Sequence, residues 1–273
     1  MSSSLSTCFR VTLVVGLAVV GLGCATSPTG RSQLILFSDA ELDQMGAASF
    51  EHQKQEIPLA SSARTNRYVE CVAGAIVAQL EPSQQSGWEV RVFESNQVNA
   101  FALPGRKIGV YMGLLQVATN QDQLAAVIGH EVGHVLARHG NERVSQQAAV
   151  QVGAAAVSAA VQSSDMDSES GQLVMAGLGL GAQYGVILPF SRTHESEADT
   201  IGIDLMARAG FDPQESVQLW RNMAALSGES PPELASTHPS NETRIANLES
   251  HMAEAERVAA AARAAGRVPR CGP

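Results

Sequence analysis

Aromatic residues are scarce in this chain, at 4% of 273 residues, and no sustained run of lysine or arginine occurs anywhere. With 18 basic against 27 acidic side chains the formal balance is −9. An acidic chain without a basic patch is a poor fit to nucleic acid, so no nucleic-acid partner is expected. Four cysteines, Cys8, Cys24, Cys71 and Cys271, are too few for a disulfide scaffold and lack the paired spacing of a zinc ribbon. No repeat of 20–50 residues is present, which excludes tandem helical repeats. What is present is 45% hydrophobic residues, which excludes a disordered acidic tail, and a length that is ample for one buried core.

The first apolar run, Val11–Leu22, has 12 residues, whereas a spanning helix needs about 20. It has the length and flanks of a signal-peptide core, followed by small residues and Cys24. Gly21-Leu22-Gly23-Cys24 resembles a bacterial lipoprotein box, with Gly21 where Leu is usual. Residues 1–23 therefore read as a lipoprotein signal peptide and Cys24 as the lipidated residue. Acyl chains there would anchor the protein to a membrane, and Ala25 in place of Asp points to the outer membrane of a Gram-negative cell. Removing residues 1–23 takes away only Arg10 among charges, leaving −10 over 250 residues. Cys71 and Cys271 then remain as a candidate disulfide in an oxidising periplasm.

Residues 24–37 read as a tether, 38–250 as the main domain and 251–273 as a helical tail. Ser38 with Glu41 is a capping box opening a helix over 39–54. A second helix over 62–80 places Tyr68, Cys71, Val72, Ala75, Ile76 and Leu80 on one face. Strands follow at 88–94, 98–103 and 107–111, the last two flanking a Pro104-Gly105-Arg106 break. Asn120 with Gln123 caps a helix to about 139, with Gly140 just past its end. Residues 146–190 read as a helical hairpin. Its uncharged segment 171–190 is long enough for a membrane span, but its glycines favour a helix packed on protein. Helices over 194–209, 213–226 and 241–265 complete a mostly helical α+β chain with about three strands.

Within the Asn120-capped helix stands His130-Glu131-Val132-Gly133-His134. Residues four apart share a helix face, so both imidazoles reach one metal ion. Glu131, about 100° around the helix, addresses a water without binding the metal. Zinc suits two imidazoles and an open position. Neither a His ten residues after His130 nor a Glu nineteen or twenty after His134 is present. The better third ligand is Glu195 in His194-Glu195-Ser196-Glu197-Ala198-Asp199, with Asp199 four residues on, orienting a ligating imidazole. On this reading Glu197 is a surface residue, His194 structural or exposed, and His139 a cation favoured at its helix end. His52 and His251 have no partner pattern.

HEVGH followed some sixty residues later by ESEAD resembles the zinc peptidase family of the CAAX prenyl protease and the heat-shock protease HtpX. Within it the chain is most similar to the periplasmic lipoprotein branch of BepA and LoiP. Thr29-Gly30-Arg31, Asn99–Gly113, Leu124–Gly140 and Leu188–Gly202 support the resemblance, which covers about 30–250. Arg106 stands where a second Gly is common, and no repeat domain follows.

The resemblance implies a gluzincin-type zincin domain with one Zn²⁺ per chain on His130, His134 and Glu195, and Glu131 as general base toward an activated water. It implies an edge strand at Asn99, Ala100, Phe101 and Ala102 that takes extended substrate by β-augmentation. His238, in a His-Pro pair, and Arg244 fall beside the cleft as catalytic candidates, Arg244 at the oxyanion. The expected function is an endopeptidase for misfolded or misassembled envelope proteins, with outer-membrane assembly machinery as a possible partner. The rivals are an envelope chaperone with a structural zinc and an integral-membrane protease spanning the bilayer through 171–190.

Overall fold

The structure, a computed structural model, describes residues 24–164, 167–182, 188–226 and 242–272. The signal segment expected over 1–23 lies outside them. The residues read as a tether open with an antiparallel ribbon, β1 (Cys24–Thr26) against β2 (Ser32–Leu34). Its turn needs Gly30, which takes φ +89°. Helix α1 (Asp39–Glu56) begins at Ser38, whose side chain and that of Glu41 complete the expected capping box. Helix α2 (Ala63–Val77) buries Tyr68, Val69, Val72, Ala73, Ile76 and Val77. Cys71 is exposed at the margin of that face, not on it, and is disulfide-bonded to Cys271 with a Cα–Cα separation of 5.7 Å.

A mixed sheet follows, with β3 (Glu89–Phe93) parallel to β5 (Lys107–Tyr111) and β4 (Ala100–Leu103) antiparallel to β5 on the outer side. Among the described residues, the order β3-β5-β4 leaves one long side of β4 without a strand neighbour. The scarce aromatics collect here. Phe50 of α1 meets Phe93 and Phe101 edge-on at 5.9 and 6.1 Å, and Phe93 and Phe101 both contact Tyr111. Ring-to-ring contacts of this kind add about 0.5–1.5 kcal/mol each beyond burial and tie α1 to the sheet.

Helix α3 (Gln121–Leu136), capped by Asn120, runs through the middle of the domain with Leu124, Ala125, Ile128 and Val132 fully buried. It ends three residues earlier than the sequence suggests. The chain turns at Arg138, which adopts φ +55° and pairs with Asp39, and α4 (His139–Gln162) starts directly afterwards. Gly140 is therefore inside α4, not the stop. Helices α5 (Ser168–Ala182), α6 (Leu188–Ala209), α7 (Gln214–Leu226) and α8 (Glu242–Ala264) complete the fold. The uncharged 171–190 stretch is divided between α5 and the start of α6, and 183–187 are outside the described residues. Among the described residues no helix is long and apolar enough to cross a membrane.

Helices α3 and α6 approach backbone to backbone. A Cβ on Gly202 would lie 2.7 Å from the His130 amide nitrogen, and one on Gly129 would lie 2.8 Å from the Gly202 carbonyl oxygen. Only glycine permits this approach, which sets α6 carboxylates beside α3 imidazoles. Arg31, leaving the ribbon turn, braces the same pair of layers. Its Nη1 and Nη2 donate to the two Glu142 oxygens of α4 at 2.8 and 2.7 Å, and its Nε donates to Glu197 of α6 at 3.0 Å.

Three stability results are expected. Gly202→Ala must push α3 and α6 apart and should cost about 1–3 kcal/mol in urea unfolding. Cys271→Ser removes the bond between α2 and the C-terminal tail and should cost about 2–4 kcal/mol, an effect that reductant reproduces in the wild type but not in the variant. Burial pushes the Glu142 carboxyl up, but hydrogen bonds from Arg31, His194 and Gln33 overcome it and hold its pKa at about 2 against an ordinary 4.5. The unfolded chain thus takes up this proton first as pH falls. The stabilisation is complete above about pH 4.5 and disappears toward pH 2. Glu142→Gln should melt lower at pH 7 and show a flatter melting-temperature profile below pH 4.5.

Candidate metal centre

One turn of α3 delivers His130, Glu131 and His134 to one place, all buried. The Nε2 atoms of His130 and His134 are 3.0 Å apart. From α6, Glu195 brings its carboxylate to 3.3 Å from the first and 3.5 Å from the second. All three donor atoms lie within 4.8 Å of one another, forming a His-His-Glu cluster able to hold a metal ion. The His130 Nδ1 is 2.9 Å from Asp199 Oδ1, so its Nδ1 proton is given to a carboxylate and its Nε2 faces the cluster. Burial pushes the His130 imidazolium down, yet hydrogen bonds with Asp199 and Glu195 outweigh it and carry its pKa up to about 9. The point between these side chains favours a cation.

Arg244 of α8 is buried and forks onto Asp199, with Nε at 2.7 Å from Oδ2 and Nη2 at 2.6 Å from Oδ1. Its Nη1 reaches Glu195 at 3.1 Å, and its guanidinium stacks 4.1 Å over the Trp220 ring. The guanidinium thus holds the two carboxylates in place, where the resemblance suggested an oxyanion contact. His238 lies outside the described residues.

The edge strand reaches the centre directly. The Ala102 backbone N–H donates to Glu131 Oε2 at 3.0 Å. Ala100 is buried, Phe101 and Ala102 are half-buried, and Asn99, just before the strand, is buried with its carbonyl accepting from Tyr111. A groove of about 430 Å³ runs along Phe101, Ala102 and Leu103 to Glu131 and His134.

Two residues depart from the sequence reading, and a third falls on one of its two alternatives. Glu197, expected at the surface, is buried and accepts hydrogen bonds from Thr29 at 2.5 Å and Arg31 at 3.0 Å. Facing away from the ligands does not expose it, because the β1–β2 ribbon covers that side of α6. His139, expected as a cation at a helix end, opens α4 and is 1% exposed. Its desolvation outweighs the hydrogen bond to Glu197 and lowers its pKa to about 4, so the ring is neutral near pH 7. His194, expected to be structural or exposed, is structural: it is buried, with Nε2 2.9 Å from Glu142 and its ring stacked 4.2 Å from that of His139. Only the Thr29-Gly30-Arg31 stretch hinted at this second polar cluster.

The sequence matches the profile of Peptidase family M48 over residues 63–252. It is 36% identical over 228 residues to the mitochondrial metalloendopeptidase OMA1 of Schizosaccharomyces pombe, covering 81% of this chain and 64% of that protein. OMA1 of Danio rerio is 30% identical over 240 residues, covering 83% and 50%. The β-barrel assembly-enhancing protease of Yersinia pestis is 28% identical over 206 residues, covering 74% and 42%. The chain thus spans about two fifths to two thirds of the length of these relatives. Peptidases of this family use zinc, and two imidazoles with one carboxylate are a donor set that zinc accepts. The matched profile takes in His130, Glu131, His134, Glu195 and Asp199, and the chain belongs to Peptidase family M48, the zinc metallopeptidases.

Proposed function

We propose that this chain is the catalytic unit of a zinc-dependent endopeptidase that cuts unfolded or misassembled cell-envelope proteins. The observation that carries the reading is the Ala102 N–H on Glu131, which sets the unpaired side of an edge strand against a buried carboxylate beside the metal cluster. An unfolded segment offers what this edge accepts, an extended backbone with free N–H and C=O groups. A folded protein does not.

When bound, zinc supplies the Lewis acid that polarises the scissile carbonyl and makes water a nucleophile near neutral pH. The chain's own groups do the rest. The β4 edge aligns the substrate backbone along the groove. Glu131 takes the proton of the attacking water and returns it to the departing amine. Asp199 and Arg244 keep His130 and Glu195 in place throughout.

An envelope location is supported by the lipoprotein-like Gly21–Cys24 and by the Cys71–Cys271 disulfide, which suits an oxidising compartment. On this reading Cys24 anchors the enzyme to the outer membrane, where failed β-barrel precursors and the outer-membrane assembly machinery are its neighbours.

The test uses the full chain with zinc and an unfolded outer-membrane β-barrel protein. Fragments should accumulate with the wild type, and Glu131→Gln should cut at least about 100-fold more slowly while retaining zinc. The same variant purified from cells should hold uncut envelope proteins. If Glu131→Gln fully replaces the wild type in a deletion strain, the chain acts as a chaperone and the peptidase reading is overturned.

A further inference from the structure

The proposed mechanism uses His130, Glu131, His134, Glu195, Asp199 and Arg244. It leaves unexplained a second polar cluster, the buried His139, Glu142, His194 and Glu197 with the half-buried Arg31 and the exposed Thr29, which meets the metal centre at His134. We propose that the ribbon turn at Thr29 and Arg31 is part of the zinc centre, acting through Glu197 and His139 as an outer relay that orients His134. The inference rests on the zinc reading above and assigns positioning roles to His139, Glu197 and Arg31.

His139 Nδ1 is 2.8 Å from His134 Nδ1, and His139 Nε2 is 3.1 Å from Glu197 Oε2. A carboxylate held by Arg31 and Thr29 is ionised and can only accept, so the His139 proton sits on Nε2. Its Nδ1 is then a lone pair, which must receive the Nδ1 proton of His134. That leaves the His134 Nε2 lone pair pointing at His130 Nε2, 3.0 Å away, where the metal ligands converge. This assignment satisfies the contacts of His139 with Glu197 and His134, and it leaves His134 in the tautomer that zinc binding requires. Glu197 therefore sets the tautomer of two histidines in series. On the other ligand Asp199 does the same for His130 directly.

The ribbon holds the far end. Thr29 Oγ1 donates to one oxygen of Glu197 at 2.5 Å, and Arg31 Nε donates to the other at 3.0 Å. The same guanidinium clasps both oxygens of Glu142, which receives the Nε2 of His194 at 2.9 Å. His194 in turn stacks on His139 at 4.2 Å with the rings 19° from parallel, so the His139 plane is fixed from the side as well as through its hydrogen bonds. Gln33 Nε2 donates to the Ala137 carbonyl at 2.6 Å, pinning the turn that carries His139 back toward His134. Arg31 is one fifth exposed and Thr29 is exposed, whereas His139, Glu142, His194 and Glu197 are nearly inaccessible. A brace needed only for folding would not have to end on a metal ligand with matching donors and acceptors.

The experiment measures zinc affinity by chelator competition and the visible spectrum of the cobalt-substituted full-length protein, alongside melting temperature. Outer partners of a metal-ligating histidine typically change metal affinity by about 10–100-fold. His139→Phe should lose affinity in that range and alter the cobalt bands. His139→Gln, whose amide both accepts and donates, should recover most of the loss. Arg31→Ala should weaken zinc by about tenfold although it touches no ligand. If Arg31→Ala lowers the melting temperature but binds zinc like the wild type, the inference is overturned. The same holds if folded His139→Phe keeps the wild-type affinity and cobalt spectrum. Should His139→Phe fail to fold, Arg31→Ala and Thr29→Val decide by the same readouts. A wild-type protein that takes up no zinc would overturn the peptidase reading itself, a result distinct from unchanged affinity among variants.

Discussion

The backbone contact between α3 and α6 is the constraint on which the site depends. Gly129 and Gly202 let the two helices approach until a methyl group could not fit between them. At that separation Glu195 and Asp199 lie level with His130, and short side chains suffice to make the cluster. Helices kept apart by leucines, at the usual 8–10 Å, would put those carboxylates out of register with the imidazoles. Close packing here is what lets two sequence-distant motifs act as one centre.

Such a centre places many charges where water is scarce, and each must be answered. A buried carboxylate or guanidinium without a partner costs several kcal/mol, whereas one with matched hydrogen bonds is tolerated. The protein answers with two layers. Arg244, supported by the Trp220 face, neutralises Asp199 and Glu195. Arg31 does so for Glu142 and Glu197. The first layer comes from the last helix of the chain and the second from its amino-terminal ribbon. Both ends of the described chain are thereby recruited to the centre, and folding of the site is tied to completion of the domain.

This division explains what could be read from sequence. His130, Glu131 and His134 were legible because a helix of 3.6 residues per turn fixes their relative positions locally, and Glu195 with Asp199 obeyed the same rule. The elements were legible for the same reason, with Ser38 and Asn120 capping the helices expected of them. His139 and Glu197 were misread because their environment is not local. Counting around α6 correctly turned Glu197 away from the ligands, but nothing in the count showed that the ribbon waits on that side. His139 depends on a left-handed residue at Arg138, an uncommon conformation for a non-glycine, held by Gln33 and Asp39 from elsewhere in the chain. Gly140, the residue type that usually ends a helix, points to a turn beyond His139, yet it lies inside α4.

The scarcity of aromatic residues has a structural counterpart. Much of the core is made of alanine, valine and glycine on closely approached helices, and the rings are concentrated where α1 meets the sheet. Phe101 belongs both to that cluster and to the edge strand beside the groove. Its ring lies across Gly109 of β5, where an added Cβ would fall 2.3 Å from it, so the pair closes like a peg in a socket. The adjacent residue is Ala102, whose N–H meets Glu131. An edge strand open on one side would otherwise be the most pliable part of the sheet. Anchoring the neighbouring side chain in the aromatic cluster keeps that N–H at hydrogen-bonding distance from the base, and so places rigidity at the one strand that has to meet a substrate.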